Sequence, residues 1–261
     1  MTEQIQDLSW RIIPYSRNDA YLNMAVDEAI YQLYEKLKIN TLRLYSWYPS
    51  TVSIGHHQCL DDEINLSMVK KYNFQAVRRI SGGGAVFHDS KGELTYSVVT
   101  TKNQVSSKSI EASYYEIVDL LFSPLSKLGI TIDYNQIHCP SVFSKGKKLS
   151  GNAQARSGNV ILQHGTILID YNPELMYSVL KARPGKTKKH MVESVYQKIT
   201  TISEQIKKTM TPRMLAEFIS EDLLTNFPAT FLLGELTTEE LKLSEQLAET
   251  KYNTEEWLHL K

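Results

Sequence analysis

No stretch of roughly 18 apolar residues occurs in this chain, so no segment has the makings of a membrane-spanning helix. The start, Met1-Thr2-Glu3-Gln4, has no basic cluster followed by an apolar run and lacks the pattern of a secretion signal. Cysteine is nearly absent. Cys59 and Cys139 are the only two among 261 residues, and no zinc-finger spacing is present. A disulfide framework and a structural zinc site are therefore not expected, and a reducing, cytoplasmic setting is. Charge of one sign is missing too. Lys and Arg number 29, as do Asp and Glu, so the chain lacks the basic excess of a dedicated nucleic-acid binder. Internal repeats and low-complexity tracts are also absent. What remains is an ordinary globular composition at a length suited to one large domain, or a domain with a small appendage.

Glycine is scarce, at 12 residues. Three stand together in Arg78-Arg79-Ile80-Ser81-Gly82-Gly83-Gly84-Ala85-Val86-Phe87-His88-Asp89. Consecutive glycines free the backbone to take positive φ and let a ligand approach the main chain. With Arg at one edge and His at the other, the segment reads as a backbone cradle for an anion. A glycine-rich hairpin turn carries the same signature. Neither common nucleotide loop fits, because no Gly-Lys-Ser/Thr opens a helix and no Gly-x-Gly-x-x-Gly joins strand to helix. Residues 85–88 read as a short strand, 89–92 as a turn and 93–99 as an alternating strand. The glycines are thus expected to link strands of an antiparallel meander.

Residues 9–14, 41–45, 51–55 and 76–80 also read as strands. Asn18 or Asp19 caps a helix to about residue 38, with Leu22, Val26, Ala29, Leu33 and Leu37 along one face. A short helix is expected from Asp61 or Asp62 to about residue 71. A longer one runs from Ser109 to about residue 127, where Pro124 bends or ends it. Residues 148–156 alternate strictly. Lys148, Ser150, Asn152, Gln154 and Arg156 fall on one side, and Leu149, Gly151, Ala153 and Ala155 on the other. A turn leads to a return strand over 160–170, in which Gly165 interrupts a β-branched run and marks a bulge or a close approach of ligand. A plain surface hairpin with a polar outer face has the same pattern. Asn172-Pro173 and Thr211-Pro212 open helices. Residues 181–190 read as a basic loop, by default a solvated charge run. Thr237-Thr238-Glu239-Glu240 is a capping box. Helices and strands mix without a regular βαβ repeat, so the expected class is α+β.

Three motifs in order, residues 78–89, Lys148-Leu149-Ser150-Gly151-Asn152-Ala153 and His164-Gly165-Thr166-Ile167-Leu168, closely resemble those of the lipoate–protein ligases. Residues 22–28, 52–55 and 251–257 support the match. The resemblance implies the biotin/lipoate protein ligase fold, a mixed, mainly antiparallel sheet with flanking helices, related to class II aminoacyl-tRNA synthetases. It implies a catalytic domain over residues 1–235 and a helical tail over 236–261 packed on it. It further implies an ATP-dependent, AMP-forming ligase that converts lipoate or octanoate to an acyl-adenylate and passes the acyl group to a lysine. ATP and Mg2+ are then the expected cofactors and lipoate the substrate. The acceptors are lipoyl domains: the glycine cleavage H protein, 2-oxoacid dehydrogenase E2 subunits or related lipoate-binding proteins. Neither nucleic acid nor membrane is an expected partner. Carried over by motif, Lys148 is the catalytic residue. Arg79, Gly82, Gly83, Gly84, Ala85, His88, Ser150, Gly151, Ala153, Gly165 and Thr166 bind the acyl-adenylate, and no metal ligand is assigned. Joining two anions needs fixed positive charge, which Lys148 and Arg79 supply without a proton transfer.

Three departures stand against the match. The small C-terminal domain of many members is not expected in the residues after the catalytic unit, and a separate accessory subunit, as in archaeal two-subunit ligases, is expected instead. Pro140-Ser141 replaces the common Asn-Asp, and Lys198 stands where Arg is common. Cys139 supports a rival. Octanoyltransferases of this fold use a cysteine near this region and pass octanoyl from an acyl carrier protein through a thioester to lysine. Lys145, Lys147 and Lys148 favour a thiolate there, although an incidental cysteine reads the same. Those transferases usually carry Gly-Gly-Arg in the loop. Gly-Gly-Gly is the ligase form, so the ATP-dependent ligase is the expected activity. A non-catalytic module that binds lipoyl groups or the adenylate is the remaining alternative.

Overall fold

A computed structural model describes residues 9–105, 109–134, 141–182, 185–227 and 230–260. After β1 (Trp10–Asn18), the Asp19 carboxylate accepts from the Leu22 N–H at 2.8 Å and opens α1 (Ala20–Leu37). β2 (Asn40–Trp47) and β3 (Thr51–Ile54) follow. The single helix expected from Asp61 is two, α2 (Leu60–Glu63) and α3 (Leu66–Lys71). Ile64 turns extended between them, and the Asn65 side chain caps the second. β4 (Gln75–Arg78), β5 (Val86–His88) and β6 (Glu93–Thr101) flank the glycine loop and the turn after it. α4 (Ile110–Phe122) tightens into a 3-10 turn at Pro124. β7 (Asp133–Tyr134), β8 (Ser141–Ser144), β9 (Lys147–Ser157), β10 (Val160–Leu168) and α5 (Pro173–Val179) come next. The basic loop expected over 181–190 is helical from its second half. Thr187 Oγ1 accepts from the His190 N–H at 3.2 Å and starts α6 (Lys188–Lys198), which buries Val192 and Val195. α7 (Ile202–Ile206), α8 (Pro212–Asn226), β11 (Phe231–Leu233), α9 (Thr238–Leu247) and α10 (Glu255–Leu258) complete the chain, and the capping box at Thr237 and Glu240 opens α9. Among the described residues, no helix is long and apolar enough to cross a membrane.

Eight strands form one sheet in the order β11-β1-β2-β6-β10-β9-β8-β7. The edge β11-β1-β2 pairs parallel and the rest antiparallel. This is the α+β, mainly antiparallel arrangement expected from the sequence. Alternation along the strands divides the core in two. Ile12, Leu42, Leu44, Tyr96 and Val98 face Ile117 and Leu121 of α4 and Leu215 and Ile219 of α8. Ile13, Val99 and Leu162 face Val26 and Ile30 of α1 on the other side. The remaining strands make a small sheet, β4-β3-β5, with β4 parallel and β5 antiparallel to β3. The glycine loop therefore does not turn an antiparallel meander. It joins two strands on either side of β3 and crosses over the end of that strand. Contact there is main chain on main chain, since a Cβ added at Gly55 would fall 2.1 Å from the Gly83 carbonyl oxygen.

The α1 face on the sheet carries a buried charge. Asp27 Oδ1 accepts from Arg43 Nη1 at 2.8 Å and Ser97 Oγ at 2.6 Å, and Oδ2 accepts from the Tyr45 hydroxyl at 2.8 Å. His164 Nδ1 lies 3.4 Å from the same oxygen. Arg43 also donates to the side chain and carbonyl of Asn23, at 2.6 and 3.0 Å. Burial alone would raise the Asp27 pKa, but His164, Arg43 and Ser97 together hold the carboxyl below the usual range. One carboxylate thus joins α1 to β2, β6 and β10. Asp27→Ala leaves the Arg43 guanidinium buried without a counter-charge and should lower the unfolding free energy by about 3–5 kcal/mol in denaturant melts. A loss below about 1 kcal/mol would show that Arg43 is compensated by other groups.

Candidate active site

β8 and β9 slip by one residue between Val142 and Phe143. Val142 opposes Ser150, whereas Phe143 opposes Lys148. Leu149 is therefore the extra residue of a β-bulge, which reverses the phase of the strand. Strict alternation puts Lys148 with Ser150 and Asn152. The bulge brings it to the side of Gly151 instead, with Nζ 3.2 Å from where a Gly151 Cβ would stand. Nor is the polar side an outer face. Gln154 donates to Gln163 at 2.7 Å and to Ser113 of α4 at 3.3 Å, and the Tyr96 hydroxyl donates to Asn152 at 2.7 Å.

The small-residue side of β9 and the glycine loop enclose a cavity of about 310 Å³. Of the residues expected at the site, Arg79, Gly83, Gly84, Ala85 and His88 line it from one side, and Lys148, Gly151, Ala153, Gly165 and Thr166 from the other. Gly82 and Ser150 do not line it. The Gly82 carbonyl accepts from Arg79 Nη2 at 2.7 Å, and the buried Ser150 hydroxyl is 3.1 Å from Asn152 Oδ1. Cys139 lies outside the described residues. Sequence reasoning missed Tyr45, Trp47, Ser53 and Thr95, which are buried at the floor, and Met24 and Val86 on the walls. The one signal for the floor was polar or aromatic character on strands that are otherwise apolar. Exposed Gly83 and Gly84 and half-buried Lys148 mark the mouth.

The floor is a directed chain of hydrogen bonds. The Trp47 indole N–H donates to Thr95 Oγ1 at 2.7 Å, and the Thr95 hydroxyl donates to Glu93 Oε1 at 2.6 Å. Glu93 Oε1 is 2.7 Å from His88 Nδ1, which fixes the proton on that nitrogen and leaves Nε2 to accept from Ser53 Oγ at 2.8 Å. The Trp47 ring stacks on His88 at 4.2 Å. Arg79 donates to Ser53 Oγ at 3.1 Å, Ser81 Oγ at 3.2 Å and the Gly84 carbonyl at 2.8 Å. Ser81 Oγ is 2.5 Å from His164 Nε2, whose ring ends on Asp27. All the acceptors of Arg79 are neutral, and burial pushes its guanidinium down to about 10. It stays charged at neutral pH, so the cavity carries a fixed positive charge at its floor and a lysine at its mouth. Among the described residues, no three His, Cys, Asp or Glu side chains are grouped to hold a metal ion.

Gly165 lines the cavity but is not a bulge. Its pairs with Tyr96 and Asn152 stay in register, and a Cβ would fall 2.1 Å from Asn152 Oδ1 and 2.8 Å from Tyr96 Cε1. The glycine is required by the protein's own packing. Gly84 differs, because an added Cβ would meet nothing within 4 Å.

Residues 19–224 match the lipoyl protein ligase A/B catalytic domain, and the chain belongs to that family. Octanoyltransferase LipM of Brevibacillus brevis is 35% identical, over 95% of this chain and 98% of its own length. The LipM octanoyltransferase of Clostridioides difficile is 34% identical over 95% and 97%, and that of Bacillus subtilis 29% over 97% and 99%. The fold is that of the bipartite lipoate protein ligase of Thermoplasma acidophilum, with a TM-score of 0.84 and 24% identity over 97% of this chain and 98% of that one. A lipoate-protein ligase A solved with ATP superposes with a TM-score of 0.80 and 23% identity over 96% and 98%. The expected biotin/lipoate protein ligase fold is thus present.

The expected activity is overturned. The relatives matched over nearly their full length are octanoyltransferases, not AMP-forming ligases. ATP and Mg2+ fall as expected cofactors with it, because a transferase receives its acyl group already activated. The third glycine of the loop misdirected the reading. Space at Gly84 is open, so a glycine or a larger residue fits there.

Two predictions follow from this geometry. Burial depresses the His164 imidazole below its ordinary 6.5, so the unfolded chain binds a proton that the folded chain refuses. Stability is then fully present above about pH 6.5 and falls as pH drops below it. His164→Gln removes that titration and should make the stability profile less steep between about pH 7 and pH 5, leaving the slope from His56, whose imidazole burial also lowers. Equal slopes in the two proteins would place the acid sensitivity elsewhere. Separately, Gly165→Ala should cost about 1–3 kcal/mol through overpacking, whereas Gly84→Ala should stay within about 0.5 kcal/mol of the parent. Thermal melts of the pair decide whether the two glycines differ as stated.

Proposed function

We propose that the chain is an octanoyltransferase that moves an octanoyl group from a carrier-protein thioester to a lysine of a lipoyl acceptor domain by way of Cys139. The observation that carries this reading is the 29–35% identity to LipM octanoyltransferases over nearly their whole length. The cavity supports it. Met24, Val86 and Ala153 offer an aliphatic chain apolar walls, and Lys148 offers positive charge to a carbonyl oxygen at the mouth. Cys139 stands two residues before Ser141, which pairs with Gly151 at the mouth.

In the first step the Cys139 thiolate attacks the thioester carbonyl, the carbon–sulfur bond to the carrier breaks, and the departing carrier thiolate takes a proton from solvent. In the second, the neutral acceptor amine attacks the acyl-cysteine, an amide forms, the Cys139 thiolate is released and the proton from the amine goes to solvent. Lys148 stabilises the oxyanion of each tetrahedral intermediate. The binding roles of Arg79, Ala85, His88, Gly151, Ala153 and Thr166 pass from an adenylate to the acyl chain and its carbonyl. An H protein or an E2 lipoyl domain is the acceptor. A separate accessory subunit has no part in this route, because no adenylate is made. The division into a catalytic unit over 1–235 and a packed tail over 236–261 belongs to the same reading.

Intact mass of an acceptor domain incubated with octanoyl carrier protein and no nucleotide tests the proposal. Wild type should add one octanoyl group and yield a trapped acyl adduct on Cys139. Cys139→Ser should abolish transfer. Lys148→Ala should slow it by about 10²-fold or more with little change in melting temperature, the size of a lost oxyanion partner. Transfer that needs ATP, or that survives Cys139→Ser, would sink the assignment.

A further inference from the structure

Between residues 141 and 208 the chain carries 12 Lys or Arg against 4 Asp or Glu, although the whole chain holds 29 of each. The positive excess is thus confined to the segment from β8 through α7, which also supplies the lysine at the cavity mouth. The last turn of α6 lies against that lysine. Lys147 Nζ is 3.5 Å from the Tyr196 carbonyl, the Thr200 N–H donates to the Lys148 carbonyl at 3.0 Å, and Ile199 bridges to Lys148. From there α6 runs back for eleven residues, about 16 Å at the rise of a helix. Lys145, Lys186, Lys189 and Lys198 are exposed and form no ion pair with a described residue. Lys188 alone on this helix is paired, with Glu174 at 3.5 Å, and Glu193 is the one acidic residue of the helix. Tyr196, more than half exposed at 53%, adds an aromatic anchor beside Lys147.

We propose that α6 and the β8–β9 turn form a docking face for an acidic carrier protein that presents the acyl thioester on a long flexible arm. The inference rests on the transferase reading and names where its donor sits. Reach selects the donor over the acceptor. Recognition along α6 extends about 16 Å from the mouth, which a phosphopantetheine arm spans. A lysine on its four-carbon stem must instead be brought to the mouth itself. Unpaired cations beside the mouth steer an acidic partner and set encounter more than chemistry.

The triple variant Lys186→Glu, Lys189→Glu, Lys198→Glu alters no residue of the cavity. Its steady-state kinetics are compared with wild type on two donors, octanoyl carrier protein and the small neutral thioester octanoyl-N-acetylcysteamine. KM for the carrier should rise about 10-fold or more with kcat within about 2-fold, and the small thioester should be used equally well by both proteins. Added salt should raise the carrier KM of wild type and leave that of the variant nearly unchanged. Equal loss on both donors, no loss on either, or a rise in acceptor KM alone would each overturn the proposal. Direct titration of labelled octanoyl carrier protein onto both proteins tests docking where no turnover is seen. Absence of transfer by wild type from either donor, with the carrier still bound more weakly by the variant, would instead reject the transferase reading.

Discussion

A carboxylate removed from water must be met by cations and donors, and Asp27 is met by Arg43, Tyr45, Ser97 and His164. Those partners come from β2, β6 and β10, so satisfying one charge fixes how α1 lies on three strands of the sheet. The constraint travels further. Donation by His164 Nδ1 to Asp27 leaves Nε2 for the Ser81 hydroxyl, and the Ser81 oxygen takes the Arg79 Nε–H. The glycine loop is thereby attached to the centre of the sheet by a chain in which every donor has one acceptor to serve. Such networks specify a single arrangement, since a half-satisfied member in a medium of low dielectric is costly.

Arg78, the last residue of β4, and Arg79 just after it hold the loop from opposite sides. Arg79 turns into the cavity. Arg78 turns away and donates to the carbonyls of Gly55, His56 and Gln58 and, beyond them, to those of Trp257 and Leu258. The Trp257 indole returns a bond to the Arg78 carbonyl at 2.8 Å, and Glu28 of α1 binds Lys251 and Tyr252 at 2.7 and 2.6 Å. The C-terminal segment is thus part of the support of the loop. A rim held on both sides keeps the cavity open in one shape, which is what positioning an acyl carbonyl requires.

The same scaffold serves ligases and transferases because both must seat an acyl chain and stabilise negative charge on its carbonyl oxygen. They differ in whether that carbonyl arrives activated. Membership of the family therefore leaves the chemistry open, and a fold shared at 23–24% identity with lipoate ligases is compatible with relatives of another activity. A cavity with apolar walls, a buried guanidinium and a lysine at its mouth meets the shared requirement. The docking face proposed along α6 concerns what the two classes do not share, the source of the acyl group.

Local chemistry was legible in the amino acids. Asp19, Asn172, Thr211 and Thr237 each cap the helix they precede, because a cap needs a side chain and an amide three residues on, and nothing distant. The α+β class followed from equally local patterning, whereas the cavity residues were reached only through the resemblance of three motifs to a known family. Other features arise between segments far apart in the chain. Lys148 faces the cavity only because β8 pairs with β9 out of step at Leu149. The glycine loop is no hairpin because β3 lies between its two strands. Gly165 must be glycine because Asn152 and Tyr96 crowd it from neighbouring strands. The third loop glycine misled because open space leaves no trace in a sequence. By itself the sequence determined which residues cap, alternate and carry charge. Only the tertiary structure decided which face each one meets, because pairing register and crossover depend on contacts that no local pattern encodes.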